Sequence, residues 1–271
     1  MRISVGIVTH RNSIRRVSAK ALADRLVAEL EAAGHETNIV WAEFQGASIS
    51  GTFCSDLSAL FYTNLAISET AFRTRAKKKH VFRFIARFAF ELVRRVLKRR
   101  HKEVYFLWRV ISEKHLSLIN QAITTGCDWT IVLEDDAMEH DHSFDRIRRL
   151  LLPLLNGQLP ATNPDGGVFL NLAGNFGEEV PARIVETSKE VVKGLWSIES
   201  HTVDTACGYA LNSAAMEQII NYVTHRPMVR TASIDYLFNF MFPRLKISTL
   251  HVVPNVFRHG SGDGSFRAWS R

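Results

Sequence analysis

The chain has 271 residues, 46% of them hydrophobic, and a formal net charge of +7 at pH 7. That length suits one large α/β domain, or at most two small ones, and no run reaches the roughly 18–20 uncharged apolar residues that span a bilayer. Three scattered cysteines, Cys54, Cys127 and Cys207, lack CxxC spacing; they support neither a disulfide framework nor a zinc site and fit a reducing compartment.

The opening stretch, MRISVGIVTHRNS, has neither the long apolar run nor the small-residue cleavage site of a signal peptide. Within it, Ile3–Val8 reads as a first strand. The loop Thr9–Ser13 follows, and Ser13 is placed to cap a helix over 14–33. Val17, Ala21, Leu22, Leu26 and Leu30 recur in that helix at helical spacing, and Gly34 stops it. Glu36–Phe44 alternates as a second strand, and this β-α-β opening predicts a parallel sheet with helices packed on it. Residues 46–70 read as loop with a helix around 55–67.

Helical spacing resumes over 112–126, ending at Gly126, and the strand 129–133 comes next. A helix is expected over 143–155, then a loop at 156–167 rich in Gly, Pro and Asn. Strands are expected at Val168–Leu172, 190–198, 203–211 and 246–253. Helices are expected over 214–223, capped by Asn212 or Ser213, and over 233–242. From Asn255 the chain reads as loop.

The strand at 129–133 runs directly into Glu134, Asp135 and Asp136. Like charges this close resist ionising together unless something positive meets them. The carboxyl edge of an open α/β sheet is where ligands bind. Hard divalent cations take oxygen ligands, and Mg²⁺ commonly uses one or two carboxylates plus substrate phosphates. The pattern therefore points to a metal bridging to a diphosphate, against the alternative of a solvated acidic loop.

Lys114, His115 and Leu116 on the helix, then Trp129 to Ala137 (WTIVLEDDA), form a block that resembles the core of the family 25 glycosyltransferases, with Lys114 where that family carries Ser. These are the lipooligosaccharide galactosyltransferases and their procollagen relatives. Thr205–Asn212, Ser233-Ile234-Asp235 and Pro254–Ser261 resemble later blocks of the same family in the same order. The resemblance covers about 111–262. It implies a GT-A fold, with a Rossmann-like, mixed and mostly parallel sheet in one domain over 1–271. It implies inverting transfer of a sugar, a hexose from a UDP-sugar, to a hydroxyl of a cell-envelope glycan or glycolipid.

The roles that follow are expectations of that resemblance. Asp136 is the leading ligand for Mn²⁺ or Mg²⁺, joined by Glu134 and His259, although His259 reads equally as a loop histidine. Asp135 holds ribose or acts through water. Asp235 is the general base, or else it complements the N-terminus of its helix. Thr9, Arg11 and His115 contact the donor, or else serve as a helix-leading loop and a structural histidine. Two other classes stay open. One is a different metal phosphohydrolase or nuclease, with Asp204 and Asp235 as further ligands. The other is a non-catalytic membrane-binding protein on the same scaffold.

The charge is concentrated. Between Arg73 and Glu103 stand 13 Lys or Arg against 2 Glu, which leaves 21 basic and 25 acidic residues elsewhere. This insert, about 72–103, winds into a basic amphipathic helix. Lys77, Lys78, Lys79, Arg83, Arg87, Arg94, Arg95 and Lys98 carry its charge, and Val81, Ile85, Phe88, Leu92 and Val96 lie opposite Arg83, Arg87, Arg94 and Lys98. It suits an anionic membrane surface, hence a cytoplasmic protein on the inner face of the cell membrane. The alternatives are a helix packed on the domain and a nucleic-acid contact. No nucleic acid is expected, because no recognised module accompanies the charge.

Overall fold

The computed structural model describes residues 1–9, 15–42, 58, 60–65, 85–86, 88–90, 93, 100–159, 166–173, 180, 185, 188–198 and 206–260. The opening is the expected β-α-β unit. Strand β1 (Arg2–Val8) pairs in parallel with β2 (Glu36–Ala42), and helix α1 (Arg16–Ala32) joins them. Gly34 ends the helix at φ +85°, a conformation that L side chains rarely adopt. The expected cap Ser13 lies outside the described residues. Residues 60–65 are helical, inside the stretch where a helix was expected.

Helix α2 (Arg100–Thr124) begins twelve residues before the predicted start at 112. It lies close on β1 because Gly6 has no side chain: a Cβ there would stand 2.9 Å from a Leu118 methyl carbon. After α2 come β3 (Trp129–Glu134), β4 (Ala137–Glu139) and helix α3, a run of Ser143–Arg146, a π-helical turn Ile147–Leu151 and Leu152–Leu155. Strand β5 (Val168–Asn171) follows. The single strand expected over 190–198 is instead a hairpin of β6 (Ser188–Val192) and β7 (Leu195–Ile198), because Lys193 and Gly194 turn the chain, with Gly194 at φ +86°. Then come β8 (Gly208–Asn212), α4 (Ser213–His225), a 3-10 turn Pro227–Thr231, α5 (Ile234–Leu245) and β9 (Ser248–Val252). Asn212 caps α4 as expected: its side-chain oxygen accepts from the Ala215 N–H.

Among the described residues, β1–β3 and β5–β9 form one sheet in the order β2-β1-β3-β8-β5-β9-β7-β6. Strands β7 and β8 run against the other six, so the α/β sheet is mixed but mostly of one direction. Alternation along the strands divides the core. Ile3, Val5, Ile7, Ile131, Leu133, Ala210 and Leu250 share one cluster with Leu22 and Leu26 of α1 and Ile147 and Leu151 of α3. Val132, Tyr209, Leu211 and Phe169 share the other with Leu118 of α2, Met216 of α4 and Phe238 of α5. Helices therefore cover both faces, and β1, β2 and β3 present their carboxyl ends at the same edge.

The segment from Asn255, expected as loop, contains a short strand, β10 (Phe257–His259), antiparallel to β4. Three-residue strands are too short for alternation to reveal them. Arg146 braces the approach by donating to the Asn255 carbonyl (2.6 Å), and the Ser143 hydroxyl donates to the Val256 carbonyl (2.5 Å).

Candidate functional site

Strand parity places the acidic residues. Glu134 has the parity of Val132, so it faces α2, and there it meets His115: Nε2 is 3.1 Å from Glu134 Oε1. On its other side the ring's Nδ1 is hydrogen-bonded with the Tyr209 hydroxyl at 2.9 Å, so a tautomer that donates from Nε2 to the carboxylate accepts from the phenol at Nδ1. The His115 and Tyr209 rings stack at 5.7 Å, and neither has exposed surface. Burial, then the charges of Glu134 and Asp235, push the Tyr209 phenol well above its ordinary range, which keeps its donor proton in place. His115, expected at the donor, therefore stands beneath Glu134 with both ring nitrogens engaged.

Asp135 and Asp136 form the turn between β3 and β4, and both are buried. The Asp135 N–H is held by the Val8 carbonyl, and Asp135 Oδ2 accepts from the Thr9 hydroxyl at 2.9 Å. Thr9, another expected donor contact, is thus tied to the acidic turn, and Lys114 donates to its carbonyl. The lysine where the resembled family has serine binds the end of β1 to α2. Arg11 lies outside the described residues, as do Asp204 and every basic residue assigned to membrane binding (Lys77, Lys78, Lys79, Arg83, Arg87, Arg94, Arg95, Lys98).

The positive charge that the turn requires comes in part from Arg15, just before α1. Its Nη1 is 3.8 Å from Asp135 Oδ1 and 3.6 Å from Asp136 Oδ2. Arg15 thus lies between two of the three carboxylates, and Glu134 is held from the other side by His115.

His259 arrives on β10. The Gly260 N–H donates to the Asp136 carbonyl at 2.8 Å, and His259 Nε2 lies 3.3 Å from Asp136 Oδ2. Cys207, immediately before β8, points its sulfur at the other Asp136 oxygen, 3.5 Å away. One donor atom from each of Glu134, Asp136, Cys207 and His259 falls within 4.8 Å of the others. Burial first, then the Asp136 and Glu134 charges, push the Cys207 thiol well above its ordinary range. It stands as a neutral thiol donating to Asp136. The three ligands expected from sequence are thus brought together, and Cys207 joins them.

Asp235 lies in the first turn of α5, half-buried. Its charge reaches both Cys207 and Tyr209.

No family model matches the chain, and no curated protein matches it. Among solved structures it is similar to a glycosyltransferase involved in the glycosylation of the major capsid of PBCV-1. The two share 8% identity at a TM-score of 0.38, over 96% of this chain and 93% of that one. Among the described residues, no helix is long and apolar enough to cross a membrane.

Proposed function

We propose that the chain is a divalent-metal-dependent, inverting glycosyltransferase that moves a hexose from a UDP-sugar to a hydroxyl of a cell-envelope glycan or glycolipid. The observation that carries this reading is convergence. Residues 134–136, 207–208 and 257–260, which lie in blocks of sequence that resemble family 25 glycosyltransferases, meet at the carboxyl edge of one sheet, and the charge of Asp235 from a further such block reaches Cys207 and Tyr209. They bring two carboxylates, an imidazole and a thiol within reach of one ion. Asp136, Glu134 and His259 fit Mn²⁺ or Mg²⁺, which when bound would neutralise the diphosphate leaving group.

The side chains divide the remaining work. Arg15 balances part of the charge on Asp135 and Asp136. Thr9 and Asp135 lie where β1 ends, the side from which a nucleoside would be held; Arg11 follows in the same loop. His115 reaches the donor through Glu134. Asp235 takes the proton from the acceptor hydroxyl as that oxygen bonds to the anomeric carbon and the bond to the diphosphate breaks. The basic segment with Lys77–Lys79 holds the protein at the inner face of the cell membrane, beside a lipid-linked acceptor.

A thermal-shift screen tests the reading, with UDP, GDP, CMP and their sugars, each with Mn²⁺ and with EDTA. A ligand that binds only the folded state raises the midpoint. The expected result is a shift for UDP or its sugars that needs Mn²⁺ and is lost in Asp136→Asn. Shifts that are equal with EDTA and Mn²⁺ would remove the metal, and no shift with any nucleotide would remove the donor.

A further inference from the structure

Cys207 is the one member of the four-donor group that the transferase reading leaves unused. Mn²⁺ and Mg²⁺ prefer oxygen and recruit thiols poorly, whereas Zn²⁺ takes sulfur, imidazole nitrogen and carboxylate oxygen together in a tetrahedron. With Zn–S near 2.3 Å and Zn–N and Zn–O near 2.0–2.2 Å, tetrahedral donors stand roughly 3.3–3.6 Å apart. Cys207 Sγ stands 3.5 Å from one Asp136 oxygen and His259 Nε2 stands 3.3 Å from the other, so this carboxylate already lies between the thiol and the imidazole. No donor pair in the group exceeds 4.8 Å, a spread that small side-chain rotations close. Cys207 and Asp136 are buried, and Glu134 and His259 are partly open, so an ion reaches the group from the side of those two. The scattered cysteine spacing gave no sign of this, because the other three donors come from β3, the turn after it and β10.

We propose that this site binds Zn²⁺ in a closed, four-coordinate state through Glu134, Asp136, Cys207 and His259. We propose further that this state excludes the nucleotide diphosphate from the site that a hard cation leaves open. The inhibition rests on the transferase reading; the zinc site does not. On binding, the S–H bond breaks, the sulfur–zinc bond forms and one proton passes to solvent for each ion taken up. A four-coordinate zinc with four protein ligands retains no position for a phosphate oxygen, whereas three protein ligands leave one. Zinc also stands above Mn²⁺ in affinity for a given set of nitrogen, oxygen and sulfur donors. Zinc in this state therefore competes with both the working cation and the donor.

The test uses the intact chain and two readouts. Co²⁺, a spectroscopic stand-in for zinc, should give a thiolate-to-metal charge-transfer band in the wild type that Zn²⁺ displaces. Zn²⁺ and Mn²⁺ affinities are then measured for the wild type, Cys207→Ser and Cys207→Ala. Serine retains a donor to Asp136 and separates ligation from positioning. Changes behind metal ligands already lower metal affinity about 10–100-fold, so losing a ligand should weaken Zn²⁺ by about 100-fold or more. Mn²⁺ affinity should hold in Cys207→Ser. A folded wild type that binds Co²⁺ without the sulfur band overturns the proposal even if the serine and alanine variants fail to fold. Equal losses of Zn²⁺ and Mn²⁺ in both variants also overturn it, because Cys207 would then only position Asp136. A sulfur band with no Mn²⁺ binding upholds the zinc site and defeats the transferase metal. Mn²⁺ binding with no sulfur band does the reverse.

Discussion

Tyr209→Phe removes one oxygen atom and tests whether His115 links the core to the acidic turn. The ring itself stays packed, stacked on His115 and Phe169 with centroids 5.7 and 5.4 Å away and edge-on to Phe238 at 5.2 Å. Phenylalanine keeps all three contacts and opens no cavity of consequence. Only the 2.9 Å bond to His115 Nδ1 is lost. That nitrogen then stays buried without a donor, a loss of about 1–3 kcal/mol. At about 2.1 cal/mol/K of unfolding entropy per residue, the midpoint of this chain should fall by about 2–5 °C. A second quantity is sharper. Tyr209 and Glu134 each hold one nitrogen of His115, so Tyr209→Phe and Glu134→Leu should be non-additive, with a coupling above about 0.5 kcal/mol. Thermal melting measures the first, and urea unfolding of the four proteins of the cycle measures the second. An unchanged midpoint together with additive effects would refute the bridge and leave His115 as a packed core ring.

Arg15→Met strips a counter-charge from two buried carboxylates. It should destabilise the metal-free protein by about 3–5 kcal/mol, and Mn²⁺ should restore more of its melting temperature than it adds to the wild type; an equal Mn²⁺ increment in both proteins contradicts the shared-charge account. Asp235→Asn should lower turnover by about 10²–10⁴ while the affinity for donor nucleotide holds, and a normal rate removes it as the base. Replacing Lys77, Lys78 and Lys79 with Gln should remove about 1 kcal/mol of membrane attraction per residue, and with it about 100-fold in binding to anionic liposomes. Unchanged co-sedimentation refutes the membrane role. His35 is buried, and among the described residues neither ring nitrogen has a partner within hydrogen-bonding distance; burial first, then the chain's amino terminus, hold its folded pKa below the usual 6.5. Below about pH 6.5 the unfolded chain binds the extra proton first, so stability should fall as pH drops from there towards the folded value. His35→Gln should flatten that slope in melting curves, and an equal slope in both proteins rejects the assignment.

Much of this molecule is readable from its residues, and the unread parts share a cause. Elements with sustained periodicity, such as α1, β3, α4 and β9, fall where the apolar spacing puts them. The hairpin of β6 and β7 was hidden because only Lys193 and Gly194 separate Val191-Val192 from Leu195-Trp196, which together read as one short strand. β4 and β10 offer three residues each, and only their pairing identifies them. The site divides in the same way. Glu134, Asp136 and His259 were named together through the family resemblance, and the structure brings their donor atoms within 4.8 Å of one another. Arg15 was not singled out, although three adjacent carboxylates call for a counter-charge and the basic residues after β1, Arg11 through Arg16, were a short set to choose from. Cys207 was invisible for a different reason. Its partners lie over fifty residues away on both sides, so no spacing rule finds it.

Helix α2 runs against β1: Arg2 donates to the Thr125 carbonyl at one end, and Lys114 reaches the Thr9 carbonyl at the other. Residues 100–113 therefore continue past the strand ends, a rise of about 21 Å. β2 stops on that same side, where the Thr9 N–H donates to the Ala42 carbonyl. The stretch between β2 and α2, which carries the basic segment, thus leaves and rejoins the sheet at the edge that holds the acidic turn. If the basic segment grips an anionic surface as proposed, both ends of the stretch that carries it stand on the side of the acidic turn. Acceptors embedded in such a surface would arrive by diffusing in a plane rather than through a volume, so their encounter rate would follow their density in the surface and not their bulk concentration.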